Sequence, residues 1–193
     1  MKYTTLGIAA AALFSTAAFA QTTASTVQRD VNQEQRIENG LKNGSLTTGE
    51  AAKLEREESK VDRTQAKALK DGNLSAPEKA RLAREQNKVS RDIARDTHNG
   101  ATGNPNSASS QRMQADVQRN INQEKRVEQG VQSGALTNRE AGHLEARESH
   151  VDKLEAKAGR NGHVSAREQA RVQTAENRDS RRIFRQKHDA QTR

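Results

Sequence analysis

The stretch Asp71-Gly72-Asn73-Leu74-Ser75-Ala76-Pro77-Glu78 decides the fold. Glycine is the residue that most readily takes the left-handed conformation ending a helix. A serine hydroxyl with a glutamate three positions later forms the reciprocal capping box that starts one. Pro77 falls in the first turn of the new helix, where its missing amide hydrogen costs nothing. The segment therefore reads as a helix stop followed at once by a helix start. The same pattern returns at Gly44-Ser45-Leu46-Thr47 with Glu50, at Gly134-Ala135-Leu136-Thr137 with Glu140, and at Gly162-His163-Val164-Ser165 with Glu168.

These turns belong to a larger repeat. A shift of 90 positions lays Val27 to His98 on Val117 to His188 without a gap, which marks an internal duplication. Each unit then reads as three helices, roughly 23–42, 47–70 and 75–97 in the first and 111–132, 137–160 and 165–187 in the second. Apolar residues keep helical spacing: Val27, Val31, Ile37 and Leu41, then Leu54, Val61 and Ala68, then Leu82, Val89 and Ile93. The positions between them are often Glu, Gln or Ala, so the apolar stripe is narrow, closer to a coiled-coil seam than to a globular face. The expected fold is all-α, with two tandem three-helix units, as antiparallel hairpins or loose bundles. The expected boundaries are 1–20 signal peptide, 21–98 first repeat, 99–110 flexible Gly/Asn/Ser/Pro linker and 111–193 second repeat.

Composition narrows the classes of function. Lys2, the apolar run from Leu6 to Ala18 and the small residues of Ala18-Phe19-Ala20 read as a cleaved export signal, with the mature chain starting at Gln21. The run is too short for a membrane span, and no transmembrane segment is expected in the mature chain. Cysteine is absent, so an exported fold must stand without disulfides. After the signal, Phe184 is the one aromatic residue, and with 30% charged against 31% hydrophobic residues over the whole chain the core must be thin. No thiol, phosphate-cradling loop, zinc-protease histidine pair or nucleophile elbow occurs, which points away from an enzyme and from a small-molecule substrate. The net charge of +8 suits attraction to an anionic polymer such as DNA, lipopolysaccharide or acidic polysaccharide.

The turns resemble the second half of an EF-hand calcium loop, in which an Asp-Gly, an aliphatic, Ser or Thr and a closing Glu lie between two helices. The resemblance implies Ca2+ or another divalent cation on Asn43, Thr47, Glu50, Asp71, Ser75, Glu78, Glu140, Asn161, Ser165 and Glu168. The family also places oxygen ligands four and two residues before the Asp, where Lys67 and Leu69 stand here, and a hard dication wants about six to eight oxygens. Plain helix capping explains the same residues. The histidines His98, His143, His150, His163 and His188 match no zinc spacing. Arg178, Arg181, Arg182 and Arg185 fall at i, i+3, i+4 and i+7 on the last helix, a stripe able to meet phosphate or sulfate, although it also suits a helix C-terminus.

The whole chain is similar to uncharacterised exported helical proteins of Gram-negative bacteria with repeated Gly-x-Leu-Ser/Thr-x-x-Glu turns, which implies a periplasmic or secreted address. The expected role is a non-enzymatic structural or interaction protein whose sparse seam seeks a protein partner or a second copy of itself. Cation binding at the turns and polyanion binding at the arginine stripe are the alternatives.

Overall fold

The computed structural model describes residues 22–191, so the signal reading of residues 1–20 lies outside them. The chain is all-helical. Its helices are α1 (Thr23–Asn43), α2 (Thr48–Ala68), α3 (Ala76–Asp96), α4 (Ala108–Ser133), α5 (Asn138–Ala158) and α6 (Ala166–Lys187). One turn of 3-10 helix extends α2 over Leu69–Asp71 and α5 over Gly159–Asn161. No helix among the described residues is long and apolar enough to cross a membrane.

The turns are built as their residues dictate. Gly44, Gly72, Gly134 and Gly162 all take positive φ, between 78° and 88°. Thr47, Ser75, Thr137 and Ser165 each form a capping box with the glutamate three residues on. In the first turn of each unit the leucine folds back: the Leu46 amide donates to the Gly40 carbonyl at 2.9 Å, and the Leu136 amide to that of Gly130 at 2.9 Å. A Cβ on Gly40 would stand 2.6 Å from the Leu46 side chain, so the glycine makes room for the leucine.

The two units do not stand apart. The most extensive helix contacts are α2 on α5 and α1 on α4, each joining one unit to the other, while α1 and α2 touch much less. The expectation of antiparallel hairpins or loose bundles within each unit therefore gives way to pairing across the repeat. α2 and α5 run antiparallel, for Gly159 packs against Ala52 at one end and Gly142 against Leu69 at the other. At the crossing, Ser59 Oγ donates to the Ser149 carbonyl at 2.8 Å and Ser149 Oγ to that of Ser59 at 2.7 Å. These serines are 90 residues apart, so a pseudo-twofold axis passes between them. The same symmetry appears outside, where Arg29 and Arg119 reach Asn87 and Asn177 at 2.6 and 2.7 Å.

α1, α2, α4 and α5 thus make a four-helix core, with α3 laid on α1 and α2, and α6 on α4 and α5. Both apolar clusters mix the units: Leu41, Leu46 and Leu54 pack with Met113, Val117 and Val164, and Val27 and Leu69 with Val127, Val131 and Leu144. The seam that looked sparse within one unit is closed by the other. The supposed flexible linker is fastened as well. α4 begins at Ala108 rather than at 111, the Gly103 amide donates to the Gly44 carbonyl at 2.8 Å, and Asn99 Nδ2 donates to Glu50 Oε1 at 2.6 Å. A side chain at 103 would collide with the Leu46 carbonyl, which is why a glycine crosses there.

Candidate metal centre

Between the apolar clusters the four core helices turn carboxylates inward. Asp30 and Glu34 of α1, Glu55, Glu58 and Asp62 of α2, Glu124 of α4, and Glu145, Glu148, Asp152 and Glu155 of α5 are all at most 4% exposed. They occupy the intervening core positions of the seam, at helical spacing from the valines and leucines. No Lys or Arg among the described residues lies within salt-bridge distance of any of these ten. Other buried acids do meet a cation whose own side chain reaches solvent, as Glu176 with Arg119 at 3.0 Å and Asp179 with Arg147 at 2.5 Å.

Taking an ionised carboxylate out of water without a countercharge is costly, and the group responds by holding its proton. Burial is the leading cause throughout. It raises Glu34 to about 8 and Asp62 to about 7. It also pushes Asp30, Glu55, Glu58, Glu124, Glu145 and Glu148 well above the usual carboxylate range, with the neighbouring acids adding to it. Asp62 and Asp152 lie close enough to hydrogen-bond through one shared proton, and Glu34 and Glu55 do likewise.

Two sets draw together most closely. Asp30, Asp62 and Glu145 each present an oxygen within 4.8 Å of the others, and so do Glu34, Glu55 and Asp152. Each set joins three helices and both units. Carboxylates converging from facing helices are how bundle cores hold metal ions. With oxygen donors alone, and all five histidines exposed, the chemistry fits calcium, magnesium or manganese better than zinc or copper.

The turn residues expected to bind a cation are used differently. Glu50 Oε2 accepts from the Thr47 amide at 2.9 Å and hydroxyl at 2.7 Å, and Glu140 and Glu168 repeat the arrangement with Thr137 and Ser165. Glu78 accepts from the Ser75 amide at 2.9 Å. Asn43, Asp71 and Asn161 each accept, through Oδ1, the amide two residues on. Every one of these carboxylates and amides serves its own turn.

The arginine stripe is exposed, but it divides. Arg181 and Arg185 line a groove with Arg126, Ser180 and Phe184, whereas Arg178 lines another with Arg147 and His150. Arg182 faces a third with Arg139 and His143, which Arg185 also reaches. Sequence reasoning missed the acidic centre because it counted the core Glu and Asp as dilution of an apolar stripe. Their recurrence beside buried aliphatics, as at Asp30-Val31 and Val61-Asp62, was the available signal.

Compared with known proteins, the chain matches no family, no curated protein and no solved structure.

Proposed function

We propose that this is an exported, non-enzymatic binding protein that holds hard divalent cations inside its four-helix core. The observation that carries the reading is the set of ten buried carboxylates with no Lys or Arg among the described residues ion-paired to them. A divalent ion coordinated by such groups restores the electrostatics lost on burial. Burial of the ligands to 4% exposure or less favours retention over turnover, because catalysis needs substrate access. The export pattern around Lys2, Leu6 to Ala18 and Ala18-Phe19-Ala20 supports an address outside the cytoplasm.

Calorimetry on the chelator-stripped chain, titrated with Mn2+ and separately with Ca2+, tests this. Binding should weaken at least about tenfold in Asp62→Asn and Glu145→Gln, since affinity follows ligand charge. It should persist in Glu50→Gln, which breaks a helix cap. No heat and no ion retained after gel filtration, or binding lost in the cap variant alone, would overturn the reading.

A second reading rests on how charge is sorted. Eighteen of the 25 Asp and Glu side chains are buried, but none of the Lys and Arg among the described residues is. The solvent-facing surface is therefore far more basic than +8 suggests, which favours an anionic polymer as partner. Binding to heparin-like or nucleic-acid polymer should fall steeply with salt and weaken in Arg181→Ala with Arg185→Ala. Salt-independent retention would count against it.

A further inference from the structure

The two close carboxylate sets are not copies of each other, and the pseudo-twofold axis shows how they are related. Moving Asp30, Asp62 and Glu145 by 90 positions gives Asn120, Asp152 and Glu55; moving Glu34, Glu55 and Asp152 gives Glu124, Glu145 and Asp62. The six close-set ligands and their symmetry mates therefore fall into two spheres. One comprises Asp30, Asp62, Glu124 and Glu145, and the other Asn120, Asp152, Glu34 and Glu55. Each takes one residue from each core helix and two from each unit. The spheres meet at Asp62 and Asp152, whose carboxyl groups are in hydrogen-bonding reach.

Resting on the cation reading above, we infer that the centre takes two ions in unequal steps, the first in the Asp30 sphere and the second in the Asn120 sphere, with Asn120 setting the difference.

Three observations besides the acidity itself support the inference. Glu58 is 2% exposed, neither of its oxygens has a hydrogen-bond partner, and it faces Asp30, Glu34 and Asp62, a further buried oxygen donor beside members of both spheres. Asp30 is held ready: Gln86 Nε2 donates to its Oδ1 at 2.6 Å, while Oδ2, also buried, has no partner. Asn120 is the opposite case. Its Nδ2 donates to Asp152 Oδ1 at 3.3 Å, a carboxylate the second ion would use, and to Glu155 Oε2 at 3.0 Å beside it, so the amide already offsets acid charge there. Its own buried Oδ1, which has no partner, is a neutral donor where Asp30 is an anionic one. The second ion thus meets one carboxylate fewer, competes with the amide hydrogen bond to Asp152, and enters beside the charge of the first.

The test is calorimetry with Mn2+ on the full chelator-treated chain, together with metal analysis of the saturated protein. Two ions per chain are expected, the second at least about tenfold weaker, since hard-cation affinity follows ligand charge and site rigidity. Asn120→Asp should tighten the second step at least about tenfold and leave the first nearly unchanged. Asp30→Asn should weaken the first step, and because it removes a buried acid it should not unfold the ion-free chain. Far-ultraviolet circular dichroism on both variants establishes that they fold. One ion per chain, or two steps that Asn120→Asp does not bring together, overturns the inference while leaving the cation reading standing. Failure of the parent chain to take up any Mn2+ overturns both.

Discussion

At the scale of single residues, identical chemistry has opposite uses according to where the helix carries it. Glu50 and Glu55 lie five residues apart. Glu50, partly exposed, accepts the Thr47 amide and hydroxyl and the Asn99 amide, and these hydrogen bonds lower its pKa. Glu55, at 0% exposure among Glu34, Glu58 and Glu155, is pushed upward by burial first and by those acids second. Their neutral isosteres should therefore diverge. Glu50→Gln removes a charged cap and should cost about 1 kcal/mol, as cap losses do. Glu55→Gln removes a buried acid and should raise the melting temperature of the ion-free chain at pH 8. Equal destabilisation by the two in thermal melts would contradict this assignment.

At the scale of elements, the α2–α5 interface shows that the two units have diverged as partners. Leu69 of the first unit packs on Gly142, where an added Cβ would stand 2.8 Å from the leucine Cβ. At the symmetry-related place both residues are small: Gly159 stands where Leu69 did and Ala52 where Gly142 did, with Met113 filling the remaining space. One contact fits a large residue to a small one; the other sets two small residues together with a methionine of α4 against them. Gly142→Ala should then cost about 1–3 kcal/mol as an overpacked core. Adding Leu69→Ala to it should cost less than the sum of the two single changes, a coupling that a double-mutant cycle in denaturant would measure. The turns and helices of this interface were legible in the sequence because capping is local chemistry: Gly72, Ser75 and Glu78 act within one turn. The pairing of α2 with α5 was not, since a stripe such as Leu54, Val61 and Ala68 specifies a buried face without naming what covers it. The candidate site was hidden for a related reason. Glu55 and Asp62 read as polar interruptions of that stripe until the other unit closes over them.

For the molecule as a whole, a core shared by both units and filled with acids ties folding to the protonation of that core. The first repeat alone would expose Val27 and Leu69, which are covered mainly by residues of the second, so the full chain should melt in a single transition. The pH dependence of that melt follows from linkage. Glu34 and Glu176 at about 8, and Asp62 and Asp116 at about 7, all lie above the unfolded carboxyl value, with burial the first cause in each. Between the unfolded and the folded pKa the native chain binds more protons than the unfolded one, so stability falls as pH rises. The contribution of these groups is complete below about pH 4 and is lost through about pH 7 to 8. This is the reverse of a salt-bridged carboxylate such as Asp92, which Lys88 and Arg95 hold below the ordinary range and which favours the fold at higher pH. The interior acids outnumber such pairs, so in chelator the melting temperature should drop from pH 5 to pH 8. Saturating Mn2+ should remove most of that drop, because an ion bound to the core supplies the positive charge that the protons supplied. A melt in chelator that is flat or rises over this interval would mean that the interior carboxylates do not hold their protons. A drop that persists in Mn2+ would mean that the ion binds elsewhere.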